Sequence, residues 1–152
     1  MGTVRSICVF ALLSSLPLSA TAADQTGASN SSTLPVLAQP VISAAIGQND
    51  PRYRARQGDG GFRFENANHN LVADFTKKGV SVRSGTGLWT IALRGYGYNG
   101  NLKPLSPSRP HARLNRVEYQ YGSLTEWYVN GPVGLEQGFT IKEVPEKRGV
   151  SR

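Results

Sequence analysis

Residues 115 to 141 read Asn-Arg-Val-Glu-Tyr-Gln-Tyr-Gly-Ser-Leu-Thr-Glu-Trp-Tyr-Val-Asn-Gly-Pro-Val-Gly-Leu-Glu-Gln-Gly-Phe-Thr-Ile. The stretch carries Tyr119, Tyr121, Tyr128, Trp127 and three glutamates, with Gly and Pro where a chain would turn. It predicts three consecutive antiparallel strands. The register of the first hairpin decides which face each glutamate occupies, because a slip of one residue sends every side chain to the other side. A two-residue loop, Gly122-Ser123, suits a type II′ turn and pairs Tyr119 with Glu126 and Glu118 with Trp127, mixing both faces. A three-residue loop, Tyr121-Gly122-Ser123, collects Val117, Tyr119, Thr125, Trp127 and Val129 on one face. Arg116, Glu118, Gln120, Glu126 and Tyr128 then share the other, as in a half-buried antiparallel pair. This second register sorts five residues to each face and is the one expected.

In that register Glu118 lies across from Glu126 with Cβ atoms roughly 5 Å apart, flanked by Arg116 and Tyr128. Two carboxylates so placed share a proton, recruit the arginine or hold a cation. Retaining glycosidases use a carboxyl pair at such a separation, one as nucleophile and one as acid. That chemistry needs a walled cleft, which the solvent face of a hairpin does not supply. Arg116, Glu118, Glu126 and Tyr128 are therefore expected to bind rather than to catalyse, and a glycoside hydrolase built on Glu118 and Glu126 is the alternative. The chain has no phosphate-binding Gly-rich loop, Gly-x-Ser-x-Gly elbow, His-Glu-x-x-His or Asp-x-Asp-x-Asp loop. His69 and His111 fall in turn-like segments without ligand spacing, so neither a metal nor another cofactor is expected. Trp89 and Trp127 are expected to point inward as core aromatics.

Moving outward to the N-terminus, Met1 to Ala23 carries Arg5, then Ile7-Cys8-Val9-Phe10-Ala11-Leu12-Leu13, then Ala20-Thr21-Ala22. These are the parts of a secretory signal peptide, too short in its apolar core for a bilayer span of about 20 residues. The expected product is exported, extracellular or periplasmic, with no membrane span. Cys8 is the only cysteine, so the chain without its leader has no disulfide, thiol nucleophile or thiolate ligand. Residues 24 to 43 are expected as a flexible leader, residues 44 to 145 as the folded module and 146 to 152 as a polar basic tail. Asn30-Ser31-Ser32 matches a glycosylation acceptor, a short pattern expected by chance in a Ser-rich tract. The whole chain has 17 basic and 10 acidic residues, a formal charge of +7 that becomes +6 when Arg5 leaves. Arg52, Arg54, Arg56, Lys147, Arg148 and Arg152 carry much of the excess without forming a compact motif. They are read as a solvated surface rather than a nucleic-acid site.

From Gly60 onward, short alternating runs are separated by turn residues: 61 to 65, 70 to 76, 80 to 83 and 86 to 94. Tyr96 to Gly100 reads as a tight turn, and the three prolines between 104 and 113 exclude a central strand there. No stretch outside the signal shows a sustained helical period, and no internal repeat is visible. The fold expected is an all-β antiparallel β-sandwich from about Gly60 to Val144, incomplete at its C-terminal end.

The runs Asn115 to Tyr119 and Leu124 to Thr140 resemble the N-terminal module of large exported bacterial FG-GAP repeat proteins, in which an integrin-α-like β-propeller follows. Asn70 to Thr76, Gly79-Val80 and Leu93 to Tyr98 resemble it as well, so that the similarity spans about residues 44 to 145. The resemblance implies a β-rich module of a surface or adhesion protein, contacting protein or glycan, with no assigned catalytic residues. The chain departs from the family by lacking the FG-GAP motif and its acidic calcium loop and by stopping at Arg152. A truncated or frame-shifted product is therefore expected, with a small standalone adhesin-like module as the alternative. In the truncated product the edge along Glu136 to Lys142 would be unpaired and an apolar face of Trp127, Val129, Phe139 and Ile141 uncovered, which favours self-association by strand addition.

Overall fold

Alternation at period two puts one side of each strand in water and the other in a core. In the computed structural model, which describes residues 5–7, 35, 38–98 and 101–143, that rule builds two five-stranded antiparallel sheets. Sheet I has the order β1 (Arg5–Ile7), β12 (Gly134–Ile141), β11 (Leu124–Gly131), β10 (Arg116–Tyr121), β9 (Pro110–Arg113). Sheet II has the order β2 (Arg56–Gly58), β3 (Gly61–Asn66), β4 (Leu71–Thr76), β5 (Gly79–Ser84), β6 (Gly87–Ile91). A separate hairpin, β7 (Gly95–Tyr98) with β8 (Asn101–Pro104), connects them, and the helix α1 (Gln39–Asn49) packs against β11.

The sheets meet face to face. Sheet II contributes Phe64, Leu71, Ala73, Phe75, Val80 and Val82, and sheet I contributes Val117, Tyr119 and Tyr128, all buried in one cluster. The Phe75 ring meets Phe64 and Tyr128 edge-on, each at 5.1 Å between centroids, an arrangement that adds about 0.5–1.5 kcal/mol per pair beyond the area buried. The Tyr119 hydroxyl crosses between the sheets to the carbonyls of Thr76 (3.0 Å) and Gly79 (3.2 Å), which clamps the Lys77-Lys78 turn against β10. The expected antiparallel sandwich is the fold observed.

Four expectations are corrected. The β10–β11 hairpin takes the two-residue loop: Tyr119 pairs with Glu126, Glu118 with Trp127 and Tyr121 with Leu124. Gly122 sits at φ +69 and Ser123 stays out of the positive region, as a type II′ turn requires. The core side then holds Val117, Tyr119, Leu124 and Tyr128 together with Glu126, and the cost of burying that carboxylate is met by hydrogen bonds that sorting by hydrophobicity does not see. Secondly, residues 39 to 49 form a helix, so the boundary expected at 43/44 falls inside a helix whose Ser43 and Gly47 are buried. Thirdly, the region expected as a turn at Tyr96 to Gly100 contributes Tyr96, Gly97 and Tyr98 to β7 of the β7–β8 hairpin. Lastly, Trp89 lies on the edge strand β6, 43 % exposed, and Trp127 lies on the outer face of sheet I.

The expected unpaired edge is also different. Phe139, Thr140 and Ile141 of β12 pair with Ile7, Ser6 and Arg5 of β1, a segment expected to leave with the signal. Phe139 and Ile141 are paired with Glu126 and Leu124, so they face the core while Trp127 and Val129 face away, and the four residues do not form one apolar face. Residues 1–4, 8–34 and 36–37 of the expected signal and leader, Asn30 among them, and the tail at 146 to 152 lie outside the described residues.

Candidate functional site

The register separates the four residues singled out from the sequence into two pairs on opposite faces of sheet I. Arg116 and Glu118 lie on the outer face, and Glu126 and Tyr128 lie on the inner one. The facing carboxylate pair expected of Glu118 and Glu126 is not formed, because one residue of slip inverts the parity of β11 relative to β10.

Cross-strand pairing sets the outer face in rows. His111, Glu118, Trp127 and Gly138 form one row across β9 to β12, and Arg113, Arg116, Val129 and Glu136 form the next. The Trp127 ring lies over Gly138, where a Cβ would collide with it. Glycine is required at that position for the ring to lie down on the sheet. The Arg116 guanidinium sits 4.6 Å from the Trp127 ring centroid, and its Nε donates to Glu118 Oε1 at 2.6 Å. Held at both ends, Arg116 and Glu118 still keep 37 % and 31 % of their side-chain surface in water. Burial on this face pushes the Glu136 carboxyl up to about 7. Where α1 crosses the sheet, a groove of about 360 Å³ runs beside Val41, Ala45, Gln48, Arg113 and Arg116.

On the inner face Glu126 is 2 % exposed. Its Oε1 accepts from the Tyr128 hydroxyl (2.6 Å) and Gln137 Nε2 (2.8 Å), and its Oε2 accepts from the Tyr121 hydroxyl (3.3 Å). Gln137 Nε2 also lies 2.9 Å from the Tyr128 oxygen, which ties the three groups into one network. Burial, with Glu126 adding to it, pushes the Tyr121 hydroxyl up to about 12, and the same causes push Tyr128 further. Both tyrosines therefore remain proton donors to the carboxylate at any physiological pH.

A third polar cluster closes one end of the sandwich. Asn130 Nδ2 donates to the carbonyls of Tyr53 and Glu65, Asn66 Nδ2 to Asn130 Oδ1 and the Gly131 carbonyl, and Asn115 Nδ2 to those of Ala44 and Asn130. These asparagines join α1 and both sheets.

Sequence reasoning missed Trp127 and His111 as outer-face residues and Tyr121 and Gln137 as partners of Glu126. The available signals were the Gly122-Ser123 dipeptide, which suits the two-residue loop, and Gly138, which stands across from Trp127 in the β11–β12 pairing and leaves room for its ring. Among the described residues, no group of three or more His, Cys, Asp or Glu is placed to hold a metal ion, and no helix is long and apolar enough to cross a membrane. No protein-family model, curated protein or solved structure matches the chain.

Proposed function

We propose that the chain is an exported, non-catalytic module for surface display or adhesion, and that the outer face of sheet I makes its contacts with glycan or protein. The observation that carries this reading is the Trp127 ring laid flat on Gly138 beside the Arg116–Glu118 ion pair. An aromatic plane next to fixed donors and acceptors stacks on the C–H face of a sugar or on an aliphatic side chain, while the charged pair takes hydroxyls or amides. The row that continues to His111 and the parallel row through Arg113 extend the platform across β9 to β11. The resemblance to the N-terminal module of FG-GAP repeat proteins points the same way, toward a surface protein.

The test is binding of the chain to arrayed glycans and to extracellular matrix proteins. Trp127→Ala is expected to lower affinity for the ligand found by about tenfold or more, the loss of a central aromatic contact worth about 1.4 kcal/mol. A polysaccharide hydrolysed by the wild type and left intact by Glu118→Gln/Glu126→Gln would overturn the reading.

A further inference from the structure

The opposite, inner face of sheet I opens at one end of the sandwich into a cleft of about 540 Å³. That volume lies within the roughly 300–1,000 Å³ usual for small-ligand sites. Its depth is set by fold elements already described. The Tyr119 hydroxyl holds the Lys77-Lys78 turn against β10, and the Leu105 N–H donates to the Arg94 carbonyl (2.9 Å), which closes the loop carrying Leu93 and Arg94 over the other side. Leu93, Leu105 and Pro107 give the walls an apolar surface.

The polar groups are distributed unevenly. Of the residues in the Glu126 network, only Glu126 and Tyr121 line the cleft, and they meet through Oε2; Tyr128 and Gln137, which hold Oε1, stand behind. A carboxylate oxygen accepts about two hydrogen bonds, so Oε2, with one long bond from Tyr121, has capacity for a further donor. Lys77, Lys78 and Arg94 line the same cleft, all three exposed, and none has a carboxylate within ion-pair distance among the described residues. An acceptor inside and three cations at the mouth select against a cationic ligand, which the mouth repels. They also select against an apolar one, which would leave the second acceptor position of Oε2 unused and take water from the three cations without replacing it. A molecule with hydroxyl donors at one end and an anionic group at the other satisfies both.

We propose that this cleft binds an acidic saccharide, a pyranose bearing a carboxylate or sulfate. One ring hydroxyl would donate to Glu126 Oε2 beside the Tyr121 bond and a neighbouring one to the Tyr121 oxygen, the anionic substituent would face Lys77, Lys78 and Arg94, and the C–H face of the ring would lie on Leu93 and Leu105. The site lies on the other side of sheet I from Trp127, so it stands apart from the outer-face contact surface.

Calorimetric titration of the full chain with trigalacturonate, a sulfated disaccharide and neutral maltotriose tests it. Binding is expected for one or both acidic probes and not for maltotriose, with affinity that falls as sodium chloride is raised. The exposed substitution Lys77→Ala/Lys78→Ala/Arg94→Ala is expected to weaken binding at least tenfold. Tyr121→Phe is expected to weaken it severalfold with an unchanged circular dichroism spectrum, and Trp127→Ala to leave it unaltered. Equal binding of maltotriose overturns the proposal, as does the absence of binding by either acidic probe. Acidic-sugar binding that survives the triple substitution but is lost in Trp127→Ala assigns the sugar to the outer face and overturns it too.

Discussion

Asn130 shows how much a single side chain carries. Its amide donates to two carbonyls, 3.2 Å to Tyr53 and 3.0 Å to Glu65, and its Oδ1 accepts from Asn66 at 2.9 Å, with the residue fully buried. Asn130→Ala strands these groups without water, and each buried polar group left unpaired costs about 1–3 kcal/mol. A loss of about 3 kcal/mol in a urea titration is expected, where a surface Asn→Ala would be nearly neutral. None of this was legible in the sequence, because Asn-Gly-Pro is what a turn looks like and side-chain partners 65 and 77 residues away leave no local pattern. Glu136 makes a prediction of the opposite sign. Burial raises its carboxyl from 4.5 to about 7, so between those values the native state keeps a proton that the unfolded chain has released. Stability from this group therefore falls as pH rises through the window, and the penalty is complete above about 7. Glu136→Gln is expected to raise the denaturation midpoint at pH 8, to leave it unchanged near pH 4 and to flatten the slope between.

At the level of elements, α1 was illegible because it docks by small residues rather than by an apolar stripe. Its large side chains Val41, Ile42 and Ile46 are 70 %, 38 % and 48 % exposed, while Ser43 and Gly47, one turn apart, face β11. The Ser43 hydroxyl accepts from the Val133 N–H at 3.1 Å, and Gly47 lets the helix backbone approach the Asn130 carbonyl. A Cβ at Gly47 would meet that oxygen, with Asn115 Nδ2 at 2.7 Å and Gly131 Cα at 3.1 Å. Helix propensity alone makes Gly→Ala stabilising by about 1 kcal/mol. Here Gly47→Ala is expected to destabilise by about 1–3 kcal/mol, the cost of overpacking against backbone. A higher melting temperature for Gly47→Ala would mean that α1 does not dock as described. The β10–β11 hairpin was legible as two strands and a turn, and both registers could be written down. The choice went to Gly122 at φ +69 and to a buried Glu126, and only the three donors around that carboxylate make its burial tolerable.

Across the whole molecule, sheet I ends in β1, whose three residues cover Phe139, Thr140 and Ile141. A chain lacking residues 1 to 23 presents those backbone groups as an open edge. Light scattering is expected to show dimers or larger species of the shortened chain at micromolar concentration and a smaller share for the chain that keeps Arg5–Ile7. A shortened chain that stays monomeric with a cooperative thermal transition would mean that the edge is tolerated. What could be read directly was the architecture: alternation at period two, turn residues between the runs and Pro107 and Pro110 bordering an edge strand specify an antiparallel sandwich. Those are local steric preferences, expressed by each segment wherever it packs. Which face of β10 and β11 meets sheet II, where Trp127 lies, why Glu126 is internal and why residues 39 to 49 are helical were decided by the tertiary structure. Each depends on partners distant in sequence, Gln137 for Glu126, Gly138 for Trp127 and Asn130 for α1, and burial free energy is evaluated over the assembled sandwich rather than along the chain.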